Sequence, residues 1–282
     1  MLPRSVDRVT LLAFAVATLI LGVNWVGVRF SNRELPPLWG ASLRFLAASV
    51  ILFAVVAMRG IALPRGRALT GALVWGALVF GLNFGLLYWA LVTVTAGMTS
   101  VIFATTPLMT LFVSALAGFE RITTQSIVGA VVAVAGLVVI FSGQLTADVT
   151  TAGVIAILLA ALTAASSTIV VKSFPRTHPI STTAIGMGTG AVLLLLASFI
   201  IGEPKTLPQQ MQTWSAVAYL VGSSIIGFSL MVFVILRWTP SASSYGIVIS
   251  PVVAVAMGTL LAGEVFGPIF FVGAAIVGVG VY

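Results

Sequence analysis

The chain has 282 residues, of which 60% are hydrophobic and 7% charged, with a formal net charge of +7 and a mean hydropathy of +1.21. So few charges cannot cover a water-facing surface, whereas lipid tolerates them provided that backbone groups are paired inside helices or a closed barrel. With no cysteine there are no disulfides, thiol catalysis or Cys-based zinc sites, and the basic residues fall singly between apolar runs, forming no stripe for nucleic acid.

The apolar runs do not alternate and predict membrane helices rather than barrel strands. In chain order the expected spans are 9–30, 37–58, 69–92, 96–118, 125–142, 151–171, 180–201, 214–236, 241–262 and 266–282. Arg4 and Arg8 precede the first run as in a signal peptide, and Ala13 to Ala17 offers small residues for cleavage. That run nevertheless continues to Phe30, which is long enough to span. The links are short, so no soluble domain is inserted. If the N-terminus is cytoplasmic, Arg4, Arg8, Arg59, Arg65, Arg67, Arg121, Lys172, Arg176 and Arg237 lie inside, against Arg29, Arg33 and Lys205 outside. The positive-inside rule then predicts both termini in the cytoplasm.

Two stretches repeat. Ala104 to Glu120 reads ATTPLMTLFVSALAGFE and Ser250 to Glu264 reads SPVVAVAMGTLLAGE, with proline and glutamate both displaced by 144 residues. The same offset pairs Thr95 with Thr239, Ser100 with Ser244, Gly129 with Gly273 and Gly136 with Gly280. Each half then holds five spans, an odd number, so the second copy enters the membrane upside down. The expected units are 1–142 and 151–282. Inverted repeats of this kind belong to transporters, whose solute site lies between the halves near mid-membrane.

Arg44 in PPLWGASLRFLAAS, the P-x12-E-R-I-T run from Pro107 to Thr123 and the second P-x12-E at Pro251 to Glu264 resemble the drug/metabolite transporter superfamily, in its ten-helix branch of two EamA-type repeats. The resemblance covers essentially the whole chain. Within it the sequence is most similar to the bacterial inner-membrane aromatic amino-acid exporters, the YddG-like group. That likeness implies an all-α basket of ten transmembrane helices around a central cavity, exporting amino acids such as Phe, Trp, Tyr, Thr or Met. Members of the group can carry aromatic residues where this chain has Thr106 and Thr163, which implies a broader substrate range here. It also implies that spans 3, 4, 8 and 9 frame the cavity while 5 and 10 pack behind it, and the glycines at 129, 136, 273 and 280 suit such close packing.

The candidate site residues are polar groups inside spans. Arg44, about seven residues into the second span, costs roughly 2.5–3.5 kcal/mol on insertion scales; it is either a structural arginine or captures a substrate carboxylate. Asn24 has an amide that must satisfy donor and acceptor sides, by a helix-to-helix bond or a zwitterionic ligand. Asn83 and Tyr88 crowd the third span, where Trp89 reads as an interfacial anchor. Ser243, Ser244 and Tyr245 open the ninth. Thr163, Ser166, Ser167 and Thr168 form a polar run whose hydroxyls bond their own helix or line a cavity. The expected substrate-contacting set is Asn24, Asn83, Thr106, Thr163 and Tyr245, with Arg44, Tyr88 and Ser244. Pro107 and Pro251, which free backbone carbonyls, are expected hinges.

Glu120 and Glu264 end helices, where the dipole disfavours an acid, so local partners are expected, with Arg121 adjacent to the first. His178 sits alone in a basic loop and is no metal site, and GMGTG at Gly186 to Gly190 lacks a preceding strand and reads as helix packing. No catalytic residue, metal or cofactor is expected, because no span carries a paired carboxylate, histidine or cysteine. All six acids fall in loops or at span ends. The expectation is a monomeric inner-membrane exporter of neutral amino acids, embedded in the bilayer and working by facilitated diffusion with alternating access. The alternative is a proton-coupled exporter of lipophilic cations or another metabolite.

Overall fold

The computed structural model describes residues 7–90, 94, 99, 102–140, 142, 150–262 and 268–281. Among these the regular structure is helical and no strand occurs. The helices are α1 (Arg8–Ser31), α2 (Pro37–Met58), α3 (Arg67–Ala90), α4 (Thr106–Leu116), α5 (Thr124–Ile140), α6 (Thr151–Ser173), α7 (Pro179–Ile200), α8 (Met211–Ile235), α9 (Pro240–Ala262) and α10 (Pro268–Val281). Their starts follow capping chemistry. Asp7 accepts from the Val9 amide, Thr150 accepts from that of Gly153, and α2 and α7 open on proline, whose missing N–H would have no helical partner there. Among the described residues α2, α3, α6, α7 and α8 are long and apolar enough to cross a membrane, and α4 and α5 are shorter apolar helices.

The radial pattern is that of a protein whose solvent is lipid. Large apolar side chains such as Leu12, Val50, Phe112, Val192, Phe199 and Val272 face outward, while Asn24, Arg44, Asn83, Thr110, Ser198 and Ser224 are buried. In water this would leave a very large exposed apolar patch; in a bilayer the outer surface costs nothing and the polar groups face one another.

The packing is regular. α1 lies against α8 and α9, and α6 lies against α3 and α4; α2 packs on α7, α4 on α9 and α5 on α10. Glycine permits the closest approach. A Cβ added at Gly129 would sit 2.8 Å from the Gly280 carbonyl oxygen, and one added at Gly136 would sit 2.8 Å from that of Gly273. Residues 129 and 136 therefore meet 280 and 273 in reverse order, so α5 and α10 are antiparallel.

Helix ends gather at two levels. At one, the Glu203 carboxylate, in the α7–α8 loop, accepts from the backbone amides of Leu38 (3.1 Å) and Trp39 (2.8 Å) at the start of α2. Glu34, between α1 and α2, accepts from the amides of Gln209 (3.2 Å) and Gln210 (3.1 Å) at the start of α8. Each acid sits at the positive end of a helix, where it is stabilised. The Thr213 hydroxyl above all, opposed by desolvation and aided by these amides, holds the Glu34 carboxyl below its ordinary range. At the other level Phe174 covers Gly71, and Ser241 donates to Glu120 at 2.5 Å. Glu120 thus finds its hydrogen-bond partner on α9, across the bundle, rather than in the adjacent Arg121.

Pro107 stands in the first turn of α4, after helical residues 102–103 and a turn at Ala104–Thr105, a position where its missing N–H is harmless. By contrast α9 continues as helix past position 251. Glu264 lies outside the described residues.

Candidate functional site

A cavity of about 190 Å³ lies inside the bundle, between α1, α2, α3, α6, α8 and α9, and Phe103 just before α4. α3 shapes it by a seven-residue π-helical stretch, Ala77–Asn83, which widens the helix as it passes the cavity. Such wide turns recur at functional sites. The stretch delivers Val79 and Asn83 to the cavity, and the turns after it deliver Phe84 and Tyr88.

Arg44 is the one formal charge among the described lining residues, and no carboxylate joins it. It is 2% exposed. Its Nε donates to Ser224 Oγ at 2.7 Å, Tyr88 lies beside the guanidinium, and the group faces the rings of Phe45 (4.9 Å) and Phe84 (5.7 Å). Nη2 has no hydrogen-bond partner among the described residues. The same is true of Asn83 Oδ1 and Thr18 Oγ1, both of residues that line the cavity. Buried polar groups are rarely left unpaired, because each costs about 1–3 kcal/mol, more when charged. Three residues of the cavity wall thus each hold a buried polar atom, a cationic donor, an amide acceptor and a hydroxyl, with no partner among the described residues.

Asn24 is already engaged on one side, its Oδ1 accepting from Ser223 Oγ at 2.6 Å. Aromatic rings build much of the remaining wall. Phe80 stands edge-on to Phe228 (4.8 Å, 76°) and Phe45 edge-on to Phe84 (4.9 Å, 66°), arrangements that rings favour and that stiffen the wall beside Arg44.

Of the residues singled out from sequence, Asn24, Arg44, Asn83, Tyr88 and Ser244 line this cavity. Thr106, Thr163 and Tyr245 do not. Thr106 is buried with its hydroxyl donated to the Phe103 carbonyl, and Thr163 donates to that of Ala160 at 2.8 Å, so both serve their own chain locally. Tyr245 follows Ser244 by one residue, about 100° around a helix of 3.6 residues per turn. It turns instead toward the cluster of Ala104, Leu137 and Val248. From the polar run of α6, Ser167 and Thr168 reach the cavity. Thr18 and the Arg44 partner Ser224 escaped sequence reading, although the Ser223–Ser224 pair inside an apolar span was a visible signal.

The model of the EamA-like transporter family matches residues 8–142 and again 151–282. The chain is 32% identical over 254 residues to the uncharacterized inner membrane transporter YedA of Escherichia coli, covering 89% of this chain and 82% of that one. It is 26% identical to the uncharacterized transporter YoaV of Bacillus subtilis over 96% and 95% of the two chains. With the probable terminal-alkyne amino-acid exporter of Streptantibioticus cattleyicolor it shares 29% identity over 84% and 80%. A crystal structure 19% identical in sequence superposes with a TM-score of 0.83 over 98% of both chains, a likeness of fold. This chain, with its lipid-facing helices, is a multi-pass membrane protein and belongs to the EamA-like transporter family.

Proposed function

We propose that the protein exports neutral amino acids across the bacterial inner membrane, by facilitated diffusion with alternating access between two inverted five-helix repeats, 1–142 and 151–282. The observation that carries this reading is the set of buried polar atoms, without partners among the described residues, on side chains that line the cavity. Arg44 Nη2 is a donor suited to a carboxylate, Asn83 Oδ1 an acceptor suited to an ammonium, and the aromatic wall suits an apolar side chain. A solute with all three features is an amino acid such as Phe, Met or Thr. The name of the Streptantibioticus relative adds support, since it describes an amino-acid exporter.

The repeat reading draws support from the packing: exchanging α1 with α6, α2 with α7, α3 with α8, α4 with α9 and α5 with α10 turns the main helix pairs into one another. The charge bias of the loops supports termini on the cytoplasmic side. Export of lipophilic cations is disfavoured by a cavity whose described lining carries one arginine and no acid. Proton coupling would ordinarily use a carboxylate within the membrane, and the described acids Asp7, Glu34, Glu120 and Glu203 all stand at helix ends or in loops.

Uptake of labelled amino acids into proteoliposomes, with and without an imposed pH gradient, tests this. The expected result is saturable flux of neutral amino acids that runs down the gradient in either direction and ignores the pH difference. Flux of organic cations driven by pH, with amino acids inert, would reject the proposal in favour of the cation antiporter.

A further inference from the structure

We propose that Trp75 is a gate between the central cavity and a second cavity, at the end of the bundle where α3 and α7 begin and α6 and α8 finish. The second cavity is small, about 20 Å³, and lies among Gly71, Phe174, Arg176, Thr182 and Leu236. Trp75 is the one described residue that lines both spaces. Its indole, 2% exposed, stands edge-on to Phe80 (5.2 Å, 87°). On its other side it presses on Gly186, where an added Cβ would fall 2.7 Å from the ring atoms Cε3 and Cζ3. The ring fits this position because α7 has no side chain there.

The two ends of the bundle close by different means. At the Glu34 and Glu203 end, two carboxylates are hydrogen-bonded to the amides that start α8 and α2, so separation there breaks several charge-assisted bonds at once. At the other end Ser241 of α9 donates to the Glu120 carboxylate, and between the two cavities stands Trp75, the described residue common to both linings. A space of 20 Å³ admits about one water, so a solute passes only when the indole swings aside. Rotation of a side chain is a smaller event than parting two helix ends, so passage past Trp75 asks for less rearrangement than separation at the Glu34 and Glu203 end. Exposed Arg176 at its mouth supplies a cation suited to a carboxylate-bearing solute.

The inference rests on reading the central cavity as the solute site, but its test needs no solute, so the two can fail separately. The chain has no cysteine, and Ala164→Cys places a small reporter on the central cavity. A charged, membrane-impermeant methanethiosulfonate is added to one face at a time of oriented vesicles. In the Trp75→Ala background the labelling rate should rise at least tenfold from the face bearing residues 174–178 and stay unchanged from the other. Trp75→Phe, with a smaller ring, should fall between. Equal rates with Trp75 and Trp75→Ala, an equal rise from both faces, or a Trp75 parent already as fast as Trp75→Ala would each overturn the gate. If Trp75→Ala does not fold, Trp75→Phe decides alone: a faster rate from the 174–178 face supports the gate and an unchanged rate removes it.

Discussion

Arg44 and Ser224, 180 residues apart, meet inside the bundle: the guanidinium gives its Nε hydrogen to the serine oxygen at 2.7 Å and leaves the buried Nη2 without a partner among the described residues. The first contact orients the charge and the second atom is what a solute carboxylate would find. Arg44→Met should lower amino-acid flux in proteoliposomes at least tenfold, about 1.4 kcal/mol, the scale of one hydrogen bond to a charged group. Arg44→Lys should not restore it, because an ammonium cannot hold Ser224 and present a second donor in the same plane. Parental flux in Arg44→Met would make the arginine a structural strut.

The amides are the next test. Asn83→Leu removes the unpaired Oδ1, and Asn24→Leu removes the acceptor of Ser223. Each should reduce flux roughly tenfold in a protein that still inserts and elutes as a folded species. Thr106→Val and Thr163→Val should leave flux within about twofold, since their hydroxyls bond carbonyls three residues back and face no solute. If the threonine variants fail and the asparagine variants transport normally, the cavity assignment is wrong.

That contrast marks how far the sequence could be read. Span positions were legible because apolar runs must match bilayer thickness: α2 was expected at 37–58 and occupies Pro37–Met58. Polar residues inside spans were legible as candidates because lipid makes them costly. Which of them face one another was not, because a hydroxyl can satisfy itself on its own helix, as Thr106 and Thr163 do, and one residue of register moves Tyr245 away from the face that holds Ser244. Nor did composition announce the π-helical stretch of α3, whose widened turns place Asn83.

Glu34 links stability to acid. Its folded pKa is lowered, chiefly by the Thr213 hydroxyl, so its contribution is complete above the ordinary value of 4.5 and disappears as pH falls through the lowered value. The melting temperature of the purified protein in detergent should therefore drop on acidification below that value. In Glu34→Gln the drop should be shallower, and modest in both because the group is partly exposed. An identical acid slope in the two proteins would assign the effect to other groups.

The α5–α10 seam carries the strongest check on the inverted repeat. A Cβ at Gly280 would lie 2.3 Å from the Ala133 amide nitrogen, and one at Gly136 would lie 2.6 Å from that of Val277. Shifting 136 and 133 by the 144-residue offset turns them into 280 and 277, so each contact is the image of the other, as a two-fold axis through the seam requires. Both contacts are backbone against backbone, and neither can relax by a rotamer change. Gly136→Ala and Gly280→Ala should each destabilise by roughly 1–3 kcal/mol through overpacking, and by similar amounts, read as a lowered melting temperature. Gly222→Ala, with nothing within 4 Å of the new Cβ, should be silent. Antiparallel α5 and α10 further require that Thr124→Cys and Ile269→Cys, near the first turn of each helix, react with an impermeant maleimide from opposite faces of the membrane. Reaction of both from one face would falsify the inverted arrangement, whatever the melting temperatures show.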